Sequence, residues 1–144
     1  MLNSLFKPQP KKLIGFEDIK IAIRYPQRYI LINTLPSGEQ DVLIRSTLPM
    51  DREETVINSQ INDYNTPDLP VIVYGRNSCD PSAETKHTQL RALGVVDVYI
   101  YPGGLFEWLL LQDAYGADEF PTTNTTPADT LKYRVKAMQF LNGR

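Results

Sequence analysis

The chain has 144 residues, of which 42% are hydrophobic and 22% charged, which is room and composition for one globular domain and excludes a disordered chain. Its net charge is −2 with lysines and arginines scattered, so nucleic-acid and membrane-surface binding, both of which need a basic footprint, are not expected. A single cysteine excludes an internal disulfide and suits a reducing, cytoplasmic setting.

Residues 1–12 (MLNSLFKPQPKK) hold two prolines and three lysines, carry no apolar signal core, and read as an extended N-terminal arm. In GFEDIKIAIR, Phe16, Ile19 and Ile23 fall on one face of a short helix, which YPQR then breaks. YILINTL (29–35) is apolar on both faces, as a central parallel strand requires. PSGEQ is a turn, and DVLIRSTLP reads as a short edge strand stopped by proline. MDREETVINSQINDY reads as a helix with Asp51 as N-cap and Glu54 as its capping-box partner. After the breaker-rich NTPDLP comes PVIVYG (70–75), a second central strand. The loop GRNSCDP follows. Then comes a helix with Ala83, His87, Leu90 and Leu93 on one face and Gly94 as its C-terminal stop. VDVYIY (96–101) is a third strand, PGG a tight turn, and LFEWLLLQDAY (105–115) a helix. Its apolar run WLLL is far too short to span a bilayer. A polar loop leads to ADTLKYRVKAMQFL, read as a closing helix carrying Leu131, Val135 and Met138. Strands alternating with helices predict an α/β domain with a mainly parallel sheet.

Three segments carry a family resemblance. YILINTL stands where rhodaneses have a core strand ending in an I-D-x-R-like corner, here Asn33 and Thr34. LIRSTLP resembles the family's G-H-I-x-G-A segment. VDVYIYPGGLFEW resembles its V-x-x-L-x-G-G-x-x-x-W ending, with Gly103, Gly104 and Trp108 in register. The chain therefore resembles a single-domain rhodanese over residues 13–115, with 116–144 as a C-terminal extension. YPGGLFEWLLLQDAYGADEFPTT further resembles a divergent branch found in unicellular eukaryotes and large DNA viruses. The resemblance implies a rhodanese-like three-layer α/β sandwich around a central, mainly parallel, five-stranded sheet.

In rhodaneses the catalytic cysteine follows the central strand directly, and amides of the loop and helix N-terminus converge on its sulfur. The matching position here is Gly75. The loop is about two residues longer than in ordinary sulfurtransferases, a length nearer the rhodanese-fold phosphatases and arsenate reductases. The usual closing arginine is replaced by Asp80 and Pro81, with Arg76 at the opposite end of the loop. The expectation is a degenerate active loop in a non-catalytic or weakly active module that binds an anion or a protein partner. The alternative is a sulfurtransferase working through Cys79, or a rhodanese-fold phosphatase.

Cys79 is the candidate nucleophile, set in an anion-binding loop of Gly75, Arg76, Asn77, Ser78, Asp80 and Ser82. It reads equally as an ordinary loop thiol. Asp80 before Pro81 reads as a helix cap whose charge disfavours a neighbouring thiolate. Arg76 is either an anion clamp or solvated. His87, the single histidine, lies about 9 Å into its helix and reads as packed rather than as a partner of Cys79. Gly103 and Gly104 read as a turn needing positive φ, and Phe106 and Trp108 as core. The run DREE (51–54) has no histidine or cysteine near it and reads as a solvated helix start. No metal and no cofactor is expected.

Overall fold

In the computed structural model, which describes residues 10–137, four strands and four helices alternate along the chain. They are β1 (Lys12–Leu13), α1 (Phe16–Arg24), β2 (Ile30–Asn33), α2 (Glu53–Asn62), β3 (Val71–Tyr74), α3 (Ser82–Leu93), β4 (Val98–Tyr101) and α4 (Gly104–Tyr115). Short 3₁₀ turns occupy Ser37–Glu39, Met50–Arg52 and Thr130–Tyr133. The sheet order is β1-β4-β3-β2, parallel throughout.

The unbroken apolar character of the three central strands follows from their burial on both faces. Successive side chains alternate between two cores. Leu31, Ile72, Tyr74 and Tyr101 point to the layer built with Ile19 of α1 and Leu105, Trp108 and Leu109 of α4. Ile30, Ile32, Val71, Val73, Val98 and Ile100 point to the opposite layer, against Ile57 of α2 and Ala83 and Leu90 of α3. The result is the expected three-layer α/β sandwich. Gly94 ends α3 at φ 109°, a left-handed stop that places its N–H on the Arg91 carbonyl.

Four local expectations differ. Among the described residues the sheet has four strands, where five are expected. The segment 41–49 is held only by isolated bridges, Thr47 to Leu31 in parallel and Ile44 to Thr122 in antiparallel. Ser46 at φ 70° turns the backbone there, so no ladder can propagate. Lys12, expected in the arm, pairs with Tyr99, as Leu13 does with Ile100, and residues 1–9 of that expected arm lie outside the described residues. Asp51 lies within a 3₁₀ turn and makes no cap; α2 begins after Arg52 without a side-chain cap. The closing helix is a single 3₁₀ turn that buries Tyr133 and Thr130 and leaves Leu131 and Val135 exposed. Met138 lies outside the described residues. Among the described residues no helix is long and apolar enough to cross a membrane.

Candidate functional site

The C-terminal ends of β2 and β3 converge on the loop 75–81. Tyr74, the last residue of β3, is fully buried; its hydroxyl accepts the Ile44 N–H at 3.1 Å and bonds Thr47 Oγ1 at 2.7 Å. Burial pushes this phenol far above its usual pKa, so it stays protonated and pins segment 41–47 over the sheet.

Beyond Tyr74 the chain leaves the sheet at Gly75, and the geometry allows little else there. A Cβ at Gly75 would lie 2.9 Å from Asp80 Oδ2, 3.1 Å from Thr34 Oγ1 and 3.2 Å from Ser82 Oγ. The loop carbonyls are also committed. Gly75 O accepts the Leu105 N–H at 3.0 Å and Arg76 O the Phe106 N–H at 2.9 Å, which satisfies two of the open amides at the start of α4. This docking requires Gly104, which sits at φ 66° with its Cβ position 2.6 Å from Gly75 O. Gly103, by contrast, has an ordinary helical backbone at φ −58°.

The centre of the loop is filled by Asp80. Its Oδ2 accepts the Arg76 N–H at 3.1 Å and its Oδ1 the Ser82 N–H at 3.0 Å. Partial burial alone would raise this carboxyl. The Ser82 and Arg76 amides, the Ser82 hydroxyl and the Arg76 charge outweigh burial and hold it below its usual value. Ser82 Oγ and Thr34 Oγ1 are 2.6 Å apart, and Thr34 Oγ1 also donates to Tyr74 O at 3.2 Å. The expected oxyanion cradle is thus occupied by a side chain of the chain itself; the N-cap is Pro81 rather than Asp80, which stands one residue earlier and accepts the Ser82 amide, the first of the helix.

The other loop residues face outward or brace the fold. Asn77 is buried; its Nδ2 donates to Tyr133 O at 2.9 Å and its Oδ1 accepts the Cys79 N–H at 3.0 Å. Arg76 pairs with Glu39 and its guanidinium lies 5.9 Å from the centre of the Tyr133 ring, so it clamps neither Asp80 nor an open anion site by its side chain. Ser78 and Cys79 are exposed, and no hydrogen bond reaches the Cys79 sulfur among the described residues. His87 is 6% exposed on the same helix as Ala83 and Leu90 and is not brought to Cys79. Thr34, Glu39 and Tyr133 were not legible as loop partners from sequence. Thr34 alone had a signal, its place at the corner after β2.

Beside Asp80 an open cleft of about 730 Å³ runs between α2 and α3. Leu35, Ile57, Leu90, Leu93 and Met50 supply its apolar surface. Glu53, Glu54 and Asp80 line it against a single cation, Lys86, which already pairs with Glu53 at 2.9 Å.

The family model of the rhodanese-like domain matches residues 23–111. The chain belongs to the rhodanese-like family. Among solved structures this rhodanese-like chain is similar to the single-domain sulfurtransferase RDL2 of Saccharomyces cerevisiae, at 21% identity and a TM-score of 0.56, over 81% of this chain and 100% of that one. It is also similar to the BH2092 protein of Bacillus halodurans, at 16% identity and a TM-score of 0.59, over 90% and 86% of the two chains. A third likeness is to Ygr203w, a yeast protein tyrosine phosphatase of the rhodanese family, at 14% identity and a TM-score of 0.57, over 81% and 94%. At these identities the likenesses carry the fold and not an activity. No curated protein matches the rhodanese-like chain in sequence.

Proposed function

We propose that this rhodanese-like chain is a non-catalytic binding module, belonging to the divergent branch that its YPGGLFEWLLLQDAYGADEFPTT segment resembles and acting in the cytoplasm. The observation that carries this reading is the Asp80 carboxylate bound to the Arg76 and Ser82 amides. A rhodanese nucleophile needs those donors for its own negative charge. Here they serve a permanent internal anion, and Gly75 has no space for a thiol-bearing side chain. Cys79 stands outside the arrangement, exposed and without donors to its sulfur among the described residues.

The partner face is the α2–α3 cleft, and its chemistry favours a peptide segment that sets an apolar anchor beside a lysine or arginine. The apolar floor supplies burial, and the excess of carboxylates over Lys86 supplies the charge preference. This replaces small-oxyanion capture by the loop.

The test has two arms. Thiosulfate:cyanide sulfurtransfer and aryl phosphate hydrolysis are measured for the wild type and Cys79→Ser, and both proteins are expected to give only background. Robust turnover abolished by Cys79→Ser would sink the non-catalytic reading. In the second arm the methyl resonance of Met50, 42% exposed at the cleft, is followed with a Leu/Lys peptide and a Leu/Glu peptide of equal length. Saturable shifts are expected with the first alone; equal responses to both would remove the charge argument.

A further inference from the structure

A second concavity lies away from the loop, on the flank of α3 that faces β1 and the start of β4. It is a pocket of about 240 Å³ lined by Pro10, Lys12, His87, Arg91, Val96 and Val98. That volume holds a phosphate-sized group and several waters, each of which takes about 30 Å³ in the liquid.

The polar groups in it are unevenly matched. Lys11 pairs with Glu84 at 3.0 Å and Lys12 with Asp97 at 3.1 Å, so both rim carboxylates are engaged by lysines. Arg91 has no carboxylate partner among the described residues. Its Nη1 donates to the carbonyls of Val95 and Val96, which fixes the guanidinium and leaves its Nε and Nη2 donors unassigned among the described residues. His87 stands four residues earlier, on the same face of α3. Only 6% of the residue is exposed, and its ring nitrogens, which make no hydrogen bond among the described residues, are not sealed from solvent. A buried imidazole and a fixed, unneutralised guanidinium thus share one small pocket.

We propose that this pocket is an oxyanion site that takes a phosphate-type group on the Arg91 guanidinium and the His87 imidazole, with Lys12 at its rim. The guanidinium offers paired donors that match phosphate or sulfate oxygens. The imidazole is the adjustable donor. Burial, then Arg91 and Lys11, lower its pKa, and Glu84 partly offsets them, so in the empty pocket it is neutral near pH 7. An arriving anion reverses that balance and favours the imidazolium. Binding and protonation of His87 are therefore linked, and affinity rises as pH falls. The charged groups that set this response are Arg91 and Glu84 from α3 and Lys11 from the segment before β1; Lys12 also lines the pocket, with its charge matched by Asp97 from the turn before β4. The site is independent of Asp80 and of whether the loop is catalytic.

His87 is the single histidine of the chain, so its ring C–H resonance reports the site without assignment ambiguity. The full chain is titrated with sulfate, with inorganic phosphate and with glycerol phosphate, each against chloride at matched ionic strength. A saturable His87 shift is expected, with the apparent pKa of His87 raised by about one unit at saturation, equivalent to about tenfold tighter binding to the imidazolium form. Sulfate, which keeps its charge across the range, is expected to bind about fivefold more tightly at pH 5.5 than at pH 7.5, the part of the tenfold difference that this window spans. Arg91→Gln should weaken binding at least fivefold. Because Arg91 also holds the turn before β4, Lys12→Gln at the exposed rim serves as the second variant, with a smaller loss and an unchanged fold. Response to phosphate and glycerol phosphate alike supports a site for a tethered phosphoryl group, and response to free ions alone supports a free-oxyanion site. An unshifted His87 pKa with all three probes, or full affinity in Arg91→Gln, overturns the proposal.

Discussion

Asp80 and Gly75 divide one volume between them. The carboxylate can reach the Arg76 and Ser82 amides because position 75 has no Cβ, and a Cβ is excluded because the carboxylate is there. Asp80→Ala should cost about 1–3 kcal/mol in urea unfolding, since two partly buried amides and their charge-assisted bonds lose their acceptor. The loss should depend on pH. The Asp80 carboxyl is held below its unfolded value, so its contribution is complete above the unfolded pKa of about 3.9 and disappears as pH falls through the folded value. The gap between wild type and Asp80→Ala is therefore expected to be flat from pH 8 to 5 and to close under acid; a constant gap down to pH 2 would refute the assignment. A second residue-scale expectation is coupling. Gly75→Ala alone should destabilise by about 1–3 kcal/mol through overpacking, and by less in the Asp80→Ala background, where the nearest obstructing atom is gone. Additive losses in that double-mutant cycle would show that Asp80 does not guard the position.

At the scale of elements, the loop and α4 form one unit, because loop carbonyls cap the helix and Gly104 permits the approach. Gly104→Ala is expected to cost about 2 kcal/mol or more, from a strained left-handed backbone and a collision with Gly75 O. Gly103→Ala is the informative comparison, with a smaller loss expected, since its backbone is ordinary and the nearest atoms to its Cβ belong to the Glu107 side chain: the carboxylate can swing away, and the Glu107 Cβ, at 2.9 Å, must give by a few tenths of an ångström. Equal losses at the two positions, measured by thermal unfolding, would mean that the close approach is not what demands glycine. The Gly-Gly pair was legible in the sequence as a turn before a helix. That only the second glycine needs positive φ was not legible, because the reason lies in a loop about 30 residues away in the chain. The capping of α2 failed for a related reason. Asp51 fits a capping box by spacing, but Pro49 and the preceding turn set a 3₁₀ entry that places Arg52 at the helix boundary.

For the whole molecule, the central strands and their helices were readable because burial on both faces leaves an unbroken apolar signature that no surface element shares. What could not be read was where the polar tail returns. Residues 116–127 carry no periodicity, and the helical spacing read at Leu131 and Val135 falls on exposed side chains, yet Phe120 is 4% exposed, with ring centres 5.0 Å from Trp108 and 5.6 Å from Phe16. Trp108 Nε1 donates to Pro121 O at 3.0 Å, and Tyr133 closes over Asn77 and Arg76. Burial here is decided by a few single anchors, and single anchors leave no pattern. They also join the tail to the first helix, the last helix and the loop, so its removal should be felt everywhere. Phe120→Ala is expected to cost about 3–5 kcal/mol, from lost transfer energy and the cavity left between Phe16 and Trp108. The loss should appear as an earlier, still single transition, with Trp108 fluorescence and far-ultraviolet dichroism coincident. If instead Trp108 fluorescence changes first and the backbone signal is unmoved, the tail is a separable appendage, and residues 13–115 hold their own core without it.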